Sequence, residues 1–360
     1  MYKAYLILSL AIIAGILHLS EGYTVNYSYE KGVVDILSKC PGRYCGRTQF
    51  SNGSWSACGP CERGARRNAS SACQPCSETP IFYDWLYLGF MMIAPLVLHL
   101  LSVDMAIKKN KLQHKTWLLY VCVVVEVVIA SLITLLVTPP LGSLALTSCR
   151  PRGLDDWYPL LHNPSPNYEG TLYCTQEAVY PMYTMVLVGY SALLVMVLVM
   201  RPAVVRKVAG DAEVTDAGAI YSALYLLPAL TITHAVLAGI LYTIFPFLVI
   251  VGSIISIATY FAYQQDQSMS ALVKGCVRDV RSVIIIQGHW LLHSYGIIAL
   301  TQLQQPALHG SLCLLVPLPA LFYILTARFS DPSVIPPVAG VNRPPTPPTP
   351  LTRVRLNRVI

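Results

Sequence analysis

Two Cys-x-x-Cys pairs lie eleven residues apart in the stretch CGPCERGARRNASSACQPC, which runs from Cys58 to Cys76. Paired thiolates at this spacing can share one tetrahedral zinc ion in the cytosol. In an oxidising compartment the same residues form disulfides instead. The thiols of this short region are Cys40, Cys45, Cys58, Cys61, Cys73 and Cys76. The side of the membrane on which the region lies therefore decides its chemistry.

Features near the N-terminus favour disulfides over zinc. Residues 1–22 combine Lys3 with an apolar run that is shorter than the ~20 residues of a spanning helix, which predicts a cleavable signal peptide rather than an uncleaved anchor. The Asn-x-Ser glycosylation acceptors, Asn26, Asn52 and Asn68, lie in the same N-terminal region. We therefore predict a lumenal domain at 23–80 with three disulfides, whose pairing the sequence leaves open.

Two further thiols lie outside this domain, and three arginines lie within it. Cys149 and Cys174 bracket a long loop, and we predict a fourth disulfide between them. The side chains of Arg63, Arg66 and Arg67 fit either a partner-binding surface or a solvated face, and the solvated face is favoured.

Three ionisable side chains fall inside apolar stretches. Glu126 lies midway along one stretch, and His289 and His293 are four residues apart, so they share one face of a helix. Such groups could form a proton relay or a metal site. Hydrogen bonds between helices, with Glu126 bonded to a histidine, are the favoured interpretation. The chain has no nucleophile elbow and no Gly-rich phosphate loop, so we predict no enzyme, no catalytic residue, no bound metal and no cofactor.

The elements that carry these residues are membrane helices. The chain has 360 residues, of which 54% are hydrophobic and only 12% charged, which is typical of a membrane protein. We predict an all-α fold with seven transmembrane helices in 81–327, and a tight turn at Phe245 and Pro246 between the fourth and the fifth. The predicted spans are Ile81–Val103, Trp117–Val137, Tyr180–Met200, Ile220–Tyr242, Phe245–Tyr263, Val283–Leu300 and Ser311–Ala327.

The basic residues predict an orientation. Alternate connections and the tail hold fifteen Lys and Arg residues, whereas the opposite loops hold only Arg150 and Arg152. Basic loops stay cytosolic, so the N-terminus is predicted lumenal and the C-terminus cytosolic. The fifteen are Lys108, Lys109, Lys111, Lys115, Arg201, Arg206, Lys207, Lys274, Arg278, Arg281, Arg328, Arg343, Arg353, Arg355 and Arg358.

The last segment, 328–360, is rich in proline and basic residues. Eight prolines prevent a packed core, so we predict a disordered tail. Thr346 and Thr349 each precede a proline, as in the targets of proline-directed kinases, although a plain solvated tail is an equal alternative.

Several segments together resemble one family. They are CPGRYCGR, YDWLYLGFM, DWYPLLHNPSPNY, CTQEAVYPMYT, HWLLHSYGII and LVPLPALFYILTARFSDPS, in this order from Cys40 to Ser333. They are similar to the c-Jun N-terminal kinase-associated membrane protein family. The resemblance implies a seven-helix adaptor of the endoplasmic reticulum membrane that binds the kinase and prolongs its signalling.

The same resemblance implies that proteasome regulatory subunits and membrane ubiquitin ligases are recruited to degrade misfolded proteins of the endoplasmic reticulum. We expect the lipid bilayer as a further partner and no nucleic acid. The resemblance fades after Ser333, so no docking residue is assigned to the tail. A seven-helix receptor or transporter is the alternative, but the third predicted helix ends in VLVMRPAVV rather than Asp-Arg-Tyr, and we find no internal repeat.

Overall fold

The computed structural model describes residues 39–109, 116–159, 174, 176–209, 218–264 and 266–330. The predicted signal peptide, Asn26, Thr346 and Thr349 lie outside these residues. The described residues form two compact units, the first from residues up to Val249 with Tyr295–Gly310, the second from Ile250–Ser294 with residues from Ser311 onward. The α-helices are α1 (Phe82–Lys109), α2 (Trp117–Val137), α3 (Met182–Ala209), α4 (Gly218–Ala262), α5 (Met269–Arg278), α6 (Val280–Thr301), α7 (Pro306–Leu312) and α8 (Leu318–Ser330).

The cysteine-rich segment (39–80) contains four very short strands. Strand β1 (Cys45–Gly46) pairs antiparallel with β2 (Gly59–Pro60), and β3 (Ala65–Arg67) pairs antiparallel with β4 (Cys73–Pro75). A β-carbon on Gly46 would lie 2.6 Å from the Cys73 sulfur, so only glycine fits beside the disulfide at this point. Because strands of two or three residues contribute little stability alone, this segment depends on its cross-links.

Six helical stretches in the described part of the chain are long and apolar enough to cross a membrane. Five are the helices α1, α2, α3, α4 and α6, and the sixth, Pro306–Ala327, comprises α7, a 3-10 turn and most of α8. Helix α2 has the predicted bounds, and the N-terminal ends of α1 and α3 lie within two residues of their predicted positions. Helix α1 continues to Lys109 and α3 to Ala209, so the basic residues near their ends belong to the last helical turns.

The predicted tight turn at Phe245 and Pro246 is wrong. The fourth and fifth predicted spans form the single helix α4, which has 45 residues and a length of about 67 Å, more than twice the ~30 Å of a hydrocarbon core. The described residues therefore contain six candidate spans where the sequence predicted seven. The segment ILYTIFPF around the expected turn has no Gly, Asn or Asp residue that would favour a reversal.

The helix continues through Pro246 because another side chain replaces the missing hydrogen bond. Proline has no backbone N–H, so the carbonyl four residues earlier, that of Tyr242, loses its helical donor. The Tyr83 hydroxyl of α1 donates to this carbonyl at 2.7 Å. In an apolar bundle an unsatisfied carbonyl is costly, and this contact removes the cost.

Aromatic side chains fill the core of the first unit. The Trp157 ring, on a short 3-10 turn, lies 5.7 Å from the Tyr87 ring and 5.0 Å from the Tyr242 ring, measured between centroids. A β-carbon on Gly239 of α4 would lie 2.7 Å from the Trp157 β-carbon. Glycine at this position therefore allows the loop tryptophan to reach the bundle.

The second unit has its own apolar core. It joins the C-terminal half of α4 with α5, α6 and α8 through the buried residues Ile257, Phe261, Leu272, Ile286, Ala320 and Ala327. The rings of Phe261 and Tyr323 stack with centroids 5.5 Å apart.

A double-mutant cycle tests the role of Tyr83. We expect Tyr83→Phe to lower the free energy of unfolding by about 1–3 kcal/mol, because the Tyr242 carbonyl loses its donor. The loss should shrink in a Pro246→Ala background, where the backbone N–H of residue 246 is restored. The measurement is unfolding of the purified protein in detergent, with Tyr225→Phe, an exposed tyrosine of α4, as control. An equal loss in both backgrounds would contradict the explanation.

Candidate functional site

A fully buried ion pair lies inside the first unit. Arg201 of α3 and Glu126 of α2 both have completely inaccessible side chains. The Arg201 Nη2 donates to Glu126 Oε2, and the Nε donates to Oε1 at 3.2 Å. The two parallel contacts give the bidentate geometry in which an arginine pairs most strongly with a carboxylate.

Two further helices complete the surroundings of the guanidinium. Arg201 Nη1 donates to the Ala219 carbonyl of α4 at 2.8 Å, and Nη2 lies 3.4 Å from His99 Nδ1 of α1. The Cys122 thiol donates to Glu126 Oε1 at 3.2 Å. One guanidinium thus connects α1, α2, α3 and α4. We call Arg201, Glu126, His99 and Cys122 the buried polar cluster.

The cluster fixes the tautomer of His99. Arginine has only donors, so His99 Nδ1 accepts and the ring proton lies on Nε2. Within the described residues, that Nε2 has no hydrogen-bond partner. The cluster contains one carboxylate and one guanidinium, so its charges balance, and its chemistry is that of a structural connection between helices.

Two sequence predictions about this cluster are wrong. The partner of Glu126 is Arg201 rather than a histidine, and Arg201 is not a loop cation but lies in α3 with its side chain enclosed. The sequence does indicate that Arg201 lies inside a helix, because it stands within the apolar run VLVMRPAVV. This indication was missed because the predicted span ended at Met200.

The two histidines of α6 bond locally in the second unit. His289 Nδ1 lies 2.7 Å from the Ile285 carbonyl of its own helix, and His293 Nδ1 lies 2.9 Å from the Ser253 hydroxyl of α4. No group of three His, Cys, Asp or Glu side chains in the described part of the chain is arranged to hold a metal ion. The geometry of His293 is that of a hydrogen bond between helices.

Four disulfides join the eight cysteines of the cysteine-rich segment and the long loop. The pairs are Cys40–Cys58, Cys61–Cys73, Cys45–Cys174 and Cys76–Cys149. The predicted bond between Cys149 and Cys174 is therefore wrong, as is the prediction of three bonds within the segment. The physical reason is that the loop packs on the segment. This packing places Cys174 beside Cys45 and Cys149 beside Cys76.

Ion pairs support the same contact between segment and loop. The buried carboxylate of Asp156 accepts from Arg66 at 2.6 Å and lies 3.2 Å from the Tyr44 hydroxyl. That hydroxyl also lies 3.0 Å from Asp155. Burial, and then the neighbouring carboxylates, raise the pKa of Tyr44, so it remains a neutral donor.

Of the three arginines predicted to form a solvated face, Arg63 is exposed, whereas Arg66 and Arg67 are half-buried and bonded within the protein. Arg66 pairs with Asp156, and the Arg67 guanidinium donates to the carbonyls of Gly42 and Cys45 at 2.8 and 3.2 Å. Arg63 lies 3.7 Å from Glu177. Burial raises the pKa of Glu177, although Thr184 and Arg63 act in the opposite direction. Arg66 therefore binds the segment to the loop, and Arg67 holds the backbone of the segment itself. No sequence pattern identifies Asp156 as the partner of Arg66.

Two predicted glycosylation acceptors lie at the surface of the segment. Asn52 is exposed and Asn68 is half-buried. Each side-chain oxygen accepts from the serine two residues later, at 2.6 Å for Ser54 Oγ and 2.7 Å for Ser70 Oγ. Glycosylation of these residues stays a prediction.

Fold and site define a class of protein, namely a multi-span membrane protein in which a small disulfide-linked segment is bound to a loop between two spans. The comparisons with known proteins narrow the class. The family model described as JNK1/MAPK8-associated membrane protein matches residues 40–332, and the chain belongs to that family.

Curated relatives agree with the family assignment. The JNK1/MAPK8-associated membrane proteins of Mus musculus and Homo sapiens are each 43% identical over 307 residues, which cover 84% of this chain and 97% of each relative. The Caenorhabditis elegans homolog is 32% identical over 288 residues, which cover 79% of this chain and 87% of the relative. No solved structure matches the chain.

The disulfide pairing can be tested by peptide mapping. Digestion of the oxidised protein should release one cross-linked peptide that contains Cys45 with Cys174 and another that contains Cys76 with Cys149. Mass spectrometry before and after reduction identifies both. A peptide that links Cys149 to Cys174 would contradict the observed pairing.

The buried ion pair can be tested by removing one partner. We expect Arg201→Met to lower the free energy of unfolding by about 3–5 kcal/mol, because Glu126 is left charged and enclosed. Adding Glu126→Gln to this variant should recover much of the loss. Lys207→Met, in the last turn of the same helix and exposed, is the matched control. If both single variants unfold alike in detergent, the pair is not a major stabilising contact.

Proposed function

We propose that the chain is a non-enzymatic adaptor of the endoplasmic reticulum membrane that binds a stress-activated MAP kinase of the c-Jun N-terminal class. The observation that carries the proposal is the similarity to relatives whose name describes association with JNK1/MAPK8, over 84% of this chain. An adaptor raises the local concentration of its partners at one membrane site and needs no catalytic group. We extend the proposal to prolonged kinase signalling.

The proposal includes recruitment of proteasome regulatory subunits and membrane ubiquitin ligases for the degradation of misfolded proteins of the endoplasmic reticulum. It places the cysteine-rich segment in the lumen and the C-terminal tail in the cytosol. Six single crossings would leave both on one side of the membrane, so a cytosolic tail requires one further crossing. The 45 residues of α4 exceed twice the ~20 that one crossing needs. The disulfides support a lumenal position for the segment, because the cytosol keeps thiols reduced. The basic residues support a cytosolic tail.

The geometry of the buried polar cluster favours an adaptor over a transporter. Ionisable residues that serve a transport path line a water-filled cavity within the bundle. Glu126 and Arg201 are fully enclosed, and their charges are paired with each other. Their arrangement therefore supports a structural role.

The end of α8 determines where the tail can be removed without damage to the folded part of the protein. Truncation before Arg328 would remove the last turn of α8, whereas deletion of 331–360 leaves α8 and the buried Ala327 in place. We expect this deletion to lower recovery of kinase and proteasome subunits roughly ten-fold or more, because one of several linked contacts is lost. Quantitative mass spectrometry of affinity-purified protein from stressed and unstressed cells measures it.

Two controls accompany the deletion. The variant Thr346→Ala/Thr349→Ala keeps the tail and separates the effect of phosphorylation from that of the segment itself. Protease protection of a tail epitope in intact microsomes reports on which side the tail lies. Unchanged recovery from the deletion variant, or a tail that is protected, would defeat this form of the proposal.

A further inference from the structure

Helix α5 (Met269–Arg278) is amphipathic and does not cross a membrane. Ten residues span about 15 Å, half of a hydrocarbon core. One part of its apolar face is covered, because Leu272 is buried in the core of the second unit and Cys276 packs against that core. The Ser268 hydroxyl accepts from the Ala271 N–H and fixes the start of the helix.

The rest of the apolar face is uncovered. Met269, Val273 and Val277 follow at intervals of four residues, so they lie along one side of the helix. All three side chains are exposed, Val277 to 74%. We call these three residues the open stripe of α5. Three apolar side chains in a row on a ten-residue helix form an exposed patch of the kind that marks contact with a membrane or a partner.

The neighbouring elements favour the membrane. Helix α5 connects two candidate membrane spans, α4 and α6. Near the start of α6, Val280 and Ile284 are exposed on one face to 71% and 66%. On a spanning helix such a face lies against hydrocarbon. Tyr263, exposed directly after α4, is of the residue type that marks the level of the lipid headgroups.

The polar face of α5 carries positive charge. Lys274 and Arg278 are four residues apart, exposed, and each directly follows a valine of the open stripe. Two acidic residues lie just outside the ends of α5, where Asp266 accepts from the Ser268 N–H at 2.8 Å and Asp279 accepts from the Ser282 N–H at 3.1 Å. Cations that border an apolar stripe are the arrangement of an interfacial helix that binds anionic lipid.

We propose that α5 is a membrane-surface helix that binds anionic phospholipid. The open stripe lies among the upper parts of the acyl chains, and Lys274 and Arg278 bind the phosphates of the headgroups. This lipid site is separate from the adaptor role proposed above, because it depends only on the second unit and on the bilayer.

The first experiment measures the depth of α5 in nanodiscs. The full chain with Cys276→Ser and Cys313→Ser, which leaves the free thiol Cys122 buried, receives a spin label through Val273→Cys, Val277→Cys or Arg278→Cys. Labels at positions 273 and 277 should be relaxed more by oxygen than by a water-soluble nickel complex, and the label at 278 more by nickel. Equal nickel access at 277 and 278 would overturn the proposal.

The same spectra distinguish lipid from a second copy of the chain. Dipolar broadening between the labels of two molecules at position 277 would show that another copy covers the open stripe. That outcome also overturns the proposal. A spectrum without broadening, in nanodiscs that each contain two labelled chains, supports lipid as the occupant of the open stripe.

The second experiment measures the charge dependence. Binding of fluorescent phosphatidylserine to the detergent-purified chain should weaken about 30-fold in Lys274→Gln/Arg278→Gln, on the basis of about 1 kcal/mol per cation. Lys274→Arg/Arg278→Lys keeps both charges and should bind as the unaltered chain does. Lys39→Gln/Arg43→Gln removes the same charge outside α5. If the last variant weakens binding as much as the first, the proposed site is wrong.

Discussion

A guanidinium enclosed among apolar helices must find its partners inside the protein, and this constraint organises the first unit. The side chain of Arg201 is inaccessible to solvent, and it is bonded to Glu126 and to the Ala219 carbonyl. An isolated charge in such surroundings would cost about 3–5 kcal/mol of stability. The helices that supply the partners are therefore held at fixed positions around α3.

The same requirement explains two other contacts of the bundle. Tyr83 donates to the carbonyl that Pro246 leaves without its helical donor. Asp84, fully buried at the start of α1, accepts from the Tyr242 hydroxyl at 2.7 Å and from the Ile81 N–H at 2.9 Å. In each case a polar group of the bundle is satisfied by a distant part of the chain. These contacts connect α1 to α4 across about 160 residues of sequence.

Outside the bundle, disulfides connect distant parts of the chain. The Cys45–Cys174 and Cys76–Cys149 disulfides close loops with sequence separations of 129 and 73 residues. In the chain-entropy account, each loop of this size restricts the unfolded chain by roughly 4–5 kcal/mol when taken alone. The buried Asp156 then gives the contact its electrostatic specificity, because it accepts from Arg66 of the cysteine-rich segment. A small segment with little core thereby becomes part of a larger folded unit.

The amino-acid sequence by itself determined the class of protein and much of its local structure. Apolar runs long enough to cross a bilayer predict helices whatever their neighbours are, which is why α2 has its predicted bounds. Family membership likewise follows from the order of the segments that resemble the family, and it agrees with the matched range 40–332. The sequence also identified Glu126 as an ionisable group within a span.

Only the tertiary structure decided which groups meet. Pairing of Cys45 with Cys174 depends on where the long loop packs, and spacing along the chain carries no information about that distance. The partner of Glu126 is Arg201 because α2 and α3 lie side by side. Helix α4 continues through Pro246 because Tyr83 is close enough to satisfy a carbonyl. Each of these outcomes depends on groups far apart in sequence, and their energies exist only once the helices are packed.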